Sequence, residues 1–363
     1  MSDSMTSRER MNAFFAGEPV DRVPFMMQWG PWEETHRRWK QQGMRNDDDW
    51  YAMFNFDSRG VGAGVSFGIC PAFEREQVDE DEEHIIFRDE EGVLQRARKD
   101  GTSMSEWLDY PVKDRKTWEA HKWRFDPSTP ERFPVDWAAR AKQLRESDEM
   151  VMVWFYPYGF FAGARTMMGA EACMVAMAED PELIEDINTT LCNLWCALIE
   201  RVAEEARLDM VHAWEDMAFK SGSLISPGMF QHFLTPYYIE VMGLADRCGA
   251  KIRLVDSDGY MHGLTPLFLE AGLTGIFPYE VQAGNDVPYL LETYPELRAL
   301  GHIDKRAMAR DRAAMDAEID RLRPIVNTGR FIPHIDHGVP PDVSWENYQY
   351  MVWRWKKLVG KTG

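Results

Sequence analysis

The chain has 363 residues, 45% of them apolar, enough to bury the core of one large α/β barrel or of two ordinary domains. Its formal net charge of -19 argues against nucleic acid or an anionic membrane surface as a partner, because both need a basic patch that can displace counterions. Five cysteines without framework spacing, an amino terminus (MSDSMTSRERMN) lacking the apolar core of a signal peptide, and no run as long as a membrane span point to a protein of the reducing cytoplasm.

Thr6 or Ser7 can cap a first helix, SRERMNAFFAG, that stops at Gly17. DRVPFMMQW (Asp21 to Trp29) reads as a first buried strand, and THRRWKQQG as a helix ending at Gly43. From about residue 60 to 126 the texture changes. An acidic cluster, Asp79 to Glu83, precedes HIIFRDEEGVLQRARKDG, two alternating runs joined by a polar Glu-Gly turn, which predicts a decorating β-hairpin. WAARAKQLRES is helical, and MVMVWFYPYG (Met150 to Gly159) returns to an apolar strand.

A βα rhythm then sets in. Helices through ARTMMGAEACMVAMAED and PELIEDINTTLCNLWCALIERVAEEA lead to DMVHAWED, and SPGMFQHFLTPYYIEVMGLADRCG leads to KIRLVDSDG. LTPLFLEAG precedes GIFPYE, DVPYLLETYPE precedes LRALGHID, a helix from Lys305 through Pro324 precedes RFIPHIDHG, and SWENYQYMVWRWKKLVG closes the chain. Such alternation with short connections is the signature of a parallel sheet with crossover helices. Strands at Phe25, Val65, Val151, Met210, Ile252, Ile276, Leu297 and Phe331 bring the count to that of a (β/α)8 TIM barrel. The expectation is one α/β barrel domain over 1–363 with an insertion at about 60–126; the strand near Val65 is the weakest.

In a barrel the carboxyl ends of the strands converge on one mouth. Here they carry Trp29, Tyr156, Tyr158, Glu215, Asp216, Asp256, Asp258, Glu280, His302, Asp304, His334, Asp336 and His337. Any one of these could be a solvated loop group or a helix cap; the set exceeds what packing requires. Asp256 and Asp258 are either metal ligands or a pair sharing a proton, in which one carboxyl becomes a general acid. An EF-hand reading of DSDG fails, because Leu254 and Thr265 then fall where outer ligands belong. His337 is either a ligand or the cap of the following helix. His212, inside MVHAW, reads as a hydrogen-bonded core histidine, and Cys192 and Cys196 as buried packing residues four apart on a helix. Lys220 is either an anion clamp or a surface lysine. The 22 Met and 14 Trp are core or pocket wall, with Trp near the mouth able to stack on a planar ligand.

The segments TSRERMNAFFAGEPVDRVPF, ISPGMFQHFLTPYY, PYEVQAGNDV, GHIDKRAMA and GVPPDVSWENY resemble the uroporphyrinogen decarboxylase superfamily, which includes cobamide-dependent methyltransferases, along nearly the whole chain. The resemblance implies a TIM barrel, often dimeric. Porphyrinogen decarboxylases carry an arginine-rich loop near the amino terminus; this chain has MMQWGPWEE after its first strand, electrostatically wrong for a polyanionic porphyrinogen. In the methyltransferase branch a His-x-Cys pair and a later Cys hold zinc. Their positions fall here on Asp256-Ser257-Asp258 and on His337, and Glu280 matches a position that can supply a further carboxylate. Carboxylates and imidazole suit Mn, Fe or Mg, or a lower-affinity zinc, and put activation of a thiol acceptor in doubt.

The expectation is therefore metal-assisted methyl transfer from a small methylated substrate to or from a cobalt corrinoid on a partner protein. Asp256, Asp258, Glu280 and His337 would hold the metal, Glu215 or Asp216 would protonate the leaving group, and Tyr156 would orient it. Trp29, Tyr158, His302, His334 and Lys220 would surround the substrate. A cofactor-free decarboxylase or lyase acting on a small acid, and a non-catalytic barrel binding a ligand or protein, are the alternatives.

Overall fold

The structure, a computed structural model, describes residues 4–45, 50–101 and 104–361. Its centre is a parallel sheet of seven strands in the spatial order Val61–Gly62, Val151–Trp154, Met210–Trp214, Ile252–Asp256, Gly275–Phe277, Arg298–Ile303 and Phe331–Ile335. Spatial order equals chain order, and helices fill the crossovers from Val151–Trp154 onward, which is the winding of a (β/α)8 barrel.

Asp21 to Trp29, expected as the first strand, forms no ladder, and it contains Pro24, which has no N–H to give. It nonetheless bridges the two edges of the sheet. Phe25 O accepts from Asp57 N at 2.7 Å beside the Val61–Gly62 edge. On the other side Gln28 N donates to His334 Nε2 at 2.5 Å and Val339 N donates to Gly30 O at 3.2 Å. Side chains replace the missing ladder. Asp57, 3% exposed, accepts from Arg22 Nη2 (2.6 Å) and Nη1 (2.7 Å), Phe25 N (2.8 Å), Lys361 Nζ (3.1 Å) and Arg10 Nη1 (3.2 Å). Burial pushes its carboxyl up, but the bonds from Arg22 and Phe25 and the Lys361 charge outweigh burial and hold it below the usual range.

Strand parity divides the core in two. Met210, Ile252, Leu254, Phe277, Leu300 and Ile332 fill the lumen, closed at the amino-terminal end of the strands by Met11, Phe14 and Phe15 of the helix Ser7–Ala16. Thr6 caps that helix in a box with Glu9, and Gly17 ends it at φ 75°. The alternate residues Val211, Ala213, Val255, Phe331 and Ile335 face outward against the helices.

The hairpin expected in the insertion is the middle of a four-stranded antiparallel sheet, Glu76–Glu80, His84–Arg88, Leu94–Arg98 and Glu106–Asp109. Its first strand is exposed along its whole length, so no apolar alternation marked it; ion pairs such as Lys99–Glu80 at 2.6 Å tie it to the rest. No helix among the described residues is long and apolar enough to cross a membrane.

Candidate active site

The strand Ile252–Asp256 and the stretch after Phe331–Ile335 meet at the mouth. His337 Nε2 lies 3.6 Å from Asp258 Oδ2. The backbone must turn sharply after Asp258. Gly259 sits at φ 91°, and a Cβ there would lie 2.3 Å from the Ala218 carbonyl oxygen, so only glycine fits. Gly259 N donates to Glu280 Oε2 at 3.2 Å. Lys305 Nζ lies 3.3 Å from Glu280 Oε1 and 3.6 Å from Asp336 Oδ1, while Val281 N donates to Asp336 Oδ2 at 3.1 Å.

These carboxyls are crowded in low dielectric. Burial, then the charges of Asp258 and Asp216, pushes Asp256 well above the carboxylate range. Burial, then Glu280 and Asp216, pushes Asp258 up to about 7. Asp336 rises to about 6, through burial that Lys305 partly offsets. His337 is lowered by burial and by Lys305.

Asp256, Asp258, Glu280 and His337 are not gathered into a closed ligand cage. Among the described residues, the group bringing three ligand atoms within 4.8 Å of one another is Cys192, Cys196 and Glu240 instead, on the outer helices. The reason at the mouth is electrostatic: Lys305 occupies the carboxylates of Glu280 and Asp336 with its own charge. The touching pair Asp258–His337, backed by Asp256, whose buried Oδ2 accepts no hydrogen bond among the described residues, remains an O/N donor set that fits a divalent cation.

The other expected residues divide into those at the rim and those spent on the scaffold. Glu215 shares the parity of Val211 and Ala213 and is buried on the helix side, not at the mouth. Its carboxylate accepts from Phe160 N (2.8 Å), Phe161 N (3.0 Å) and Ala162 N (2.8 Å) and from Tyr238 Oη, seating the helix Phe160–Met168. Gly159 makes room, since a Cβ there would lie 2.4 Å from Glu215 Cδ. Glu215 is therefore a helix-terminus ligand rather than the proton donor expected, although burial raises it to about 7. Asp216 is at the rim, half-buried at φ 43°, with Arg165 Nη1 donating to its carbonyl at 2.9 Å and lying 3.4 Å from its Oδ2. Asp216, Tyr279 and His302 are three of the four non-glycine residues at positive φ among the described residues, and all three end barrel strands. Strain of this kind persists where the surroundings impose it.

Tyr156 is 53% exposed at the rim. Tyr158 is fully buried, its hydroxyl bonded to Glu91 of the insertion. His334 is also buried, with Nε2 accepting from Gln28 N and Nδ1 bonded to the Ile335 carbonyl; both nitrogens hold backbone, so its expected substrate contact is replaced by a structural one. His302 is buried with Nδ1 donating to Tyr279 O at 3.0 Å, and burial pushes it down to about 4. Lys220 is exposed in the turn between Ala218–Phe219 and Gly222–Ser223. Trp29 packs 6.0 Å from Trp154. His212 is a core histidine, but neither nitrogen finds a hydrogen-bond partner among the described residues; its ring stacks at 5.6 Å on Trp154, whose Nε1 is likewise unpaired.

Sequence reasoning missed Lys305, Arg165 and Glu91. A lone arginine in the apolar helix FFAGARTMM was a usable signal, and so was the lysine directly after GHID. Nothing in a polar Glu-Gly turn distinguishes Glu91.

No family model matches the chain, and no curated protein matches it. Solved structures do. A methyltransferase from Methanosarcina mazei superposes with a TM-score of 0.64 over 98% of this chain and 99% of its own, at 14% identity. A putative vitamin-B12-independent methionine synthase from Listeria monocytogenes superposes over 63% of this chain and 71% of its own, with a TM-score of 0.40 at 14% identity. The likeness at full length is one of fold: the chain has the barrel architecture of the methyltransferase, the one implied by its resemblance to the uroporphyrinogen decarboxylase superfamily.

Proposed function

We infer that this chain is an enzyme that moves a methyl group from a small methylated molecule, with its chemistry at the mouth between Asp258 and His337. The observation that carries this reading is the 3.6 Å approach of those two side chains, from stretches eighty residues apart, in a barrel matching a methyltransferase from end to end.

Asp258 and His337, with Asp256 behind them, would hold a divalent ion of the Zn, Mn or Fe class, which when bound supplies Lewis acidity to the substrate heteroatom. The chain's own residues do the rest. Asp258 is a carboxylate when it holds the ion; without the ion burial pushes it up to about 7, so protons compete with the metal below neutral pH. Asp216 at the rim would protonate the leaving group, Tyr156 would orient it, and Trp29 and Trp154 wall the site from water. Lys305 pairs with Glu280 and Asp336. The methyl acceptor we favour is a corrinoid carried by a separate protein, and a homodimer is the expected assembly.

The test is mass-spectrometric detection of demethylated product from a panel of methylated amines, ethers and sulfides, with and without free cobalamin, alongside elemental analysis for bound metal. Turnover that needs metal and falls in Asp258→Asn supports the reading. No turnover across the panel, or turnover indifferent to Asp258→Asn, sinks it. The upward push on both Asp256 and Asp258 favours a second reading, a cofactor-free lyase that uses the pair as proton-sharing acids; its activity would survive a chelator.

A further inference from the structure

A cavity of about 650 Å³ lies between the inserted sheet and the barrel rim, within the size range of small-molecule sites. Its barrel wall is aromatic: Tyr156 and Trp214 stand 5.2 Å apart with ring planes at 67°, and Trp154 backs Tyr156 at 5.3 Å. Tyr110 adds a ring from the segment after the inserted sheet. The same cavity is lined by three carboxylates, Asp89, Glu90 and Glu91, against one cation, Arg165.

Arg165 is already engaged. Its guanidinium lies 4.8 Å over the Trp214 ring and bonds Asp216. Asp89 accepts from Glu91 N at 3.0 Å and Val93 N at 2.8 Å, closing its own turn, and Glu90 faces Arg75 at 3.9 Å. Glu91 differs. It is half-buried, it accepts from the Tyr158 hydroxyl, and no cation lies within ion-pair distance of it among the described residues. A buried carboxylate without a counter-ion is costly, and aromatic faces carry a negative quadrupole that attracts cations, most of all those without N–H groups to hydrate. Beyond Tyr156 the lumen holds two further polar atoms without a hydrogen-bond partner among the described residues, Trp154 Nε1 and Asp256 Oδ2.

We propose that this cavity binds a small methylated cation, a quaternary ammonium or sulfonium, with Tyr156 and Trp214 as its seat and Glu91 as its counter-ion. The proposal rests on the methyl-transfer reading of the mouth, for which it names the substrate class; an onium methyl departs with the bonding pair left on nitrogen or sulfur, so the leaving amine or sulfide is neutral, takes no proton, and offers a lone pair only once the methyl has gone. The inserted sheet then serves recognition: it brings the countercharge, while the barrel brings the rings.

Calorimetric titration of the full chain with tetramethylammonium, choline and trimethylsulfonium, and with 3,3-dimethylbutan-1-ol as the neutral isostere of choline, tests it. The expected result is saturable binding of at least one cation, at least 10-fold weaker binding of the neutral alcohol than of choline, and at least 10-fold weaker cation binding in Glu91→Gln. Glu90→Gln, in the same turn, should bind within about 2-fold of the parent chain; a cooperative thermal melt of Glu91→Gln without ligand shows that the variant folds, and its melting temperature should then lack the rise that the cation gives the parent chain. Equal binding of alcohol and choline, or no heat from any of the three cations, overturns the proposal. Cation binding without methyl transfer sinks the reaction but leaves the site, whereas transfer from neutral donors with no cation binding does the reverse.

Discussion

Two regions of this barrel collect buried charge, and they treat it in opposite ways. At the seam, Asp57 is surrounded by Arg10, Arg22 and Lys361, so that one carboxylate meets three cations. At the mouth, Asp216, Asp256, Asp258, Glu280 and Asp336 share Lys305 and Arg165, and Asp256 keeps an oxygen with no hydrogen bond among the described residues. Over-neutralised burial joins chain segments; under-neutralised burial is tolerated only where something else is to be bound or a proton moved. The seam clamps the irregular segment that closes the barrel, and the mouth stays poised.

The comparison breaks most visibly by removing its two acids. Asp57→Ala removes the carboxylate that Arg10, Arg22 and Lys361 share and should cost about 3–5 kcal/mol of stability, read as a lowered urea midpoint; a change under 1 kcal/mol would mean the seam is not held by charge. Asp258→Asn should do the reverse. It relieves like-charge crowding, so stability should stay within about 1 kcal/mol while the reaction falls about 10²-fold or more.

A smaller effect concerns protonation. Burial pushes His212 down to about 3 and His334 to about 4. Each has a folded pKa below its unfolded value near 6.5, so its contribution to stability is complete above that pH and is lost as pH falls toward 4. Imidazole NMR signals of both should stay in the neutral form down to about pH 5, and titration near 6.5 would show that water reaches them. The smallest expected change is at the amino terminus, where Thr6→Ala removes one side of the capping box and should cost about 1 kcal/mol by thermal melting.

Much of this arrangement was legible beforehand. The strands from Val151 to Phe331 announced themselves by apolar runs ending in polar residues. The meeting of the Asp258 and His337 stretches followed from their both being strand ends. Parity could have separated Glu215 from Asp216, since Glu215 continues the face of Val211 and Ala213 that packs on helices. What misled was chemistry shared by different roles: His334 looks like a rim ligand, yet it spends both nitrogens on the backbone of its own strand end and of the Gln28 segment.

By itself, then, the sequence determined the βα alternation, the capping of the first helix, and the acidic character of the strand ends. These depend on local periodicity and on residue chemistry. Only the tertiary structure decided that Asp21 to Trp29 closes the barrel through side chains, that Lys305 rather than a ready-made cage meets Glu280 and Asp336, and that Glu91 of the insertion faces the rim aromatics. Each of these joins residues distant along the chain, and the energy of a charge depends on which partners and how much water the completed fold leaves beside it.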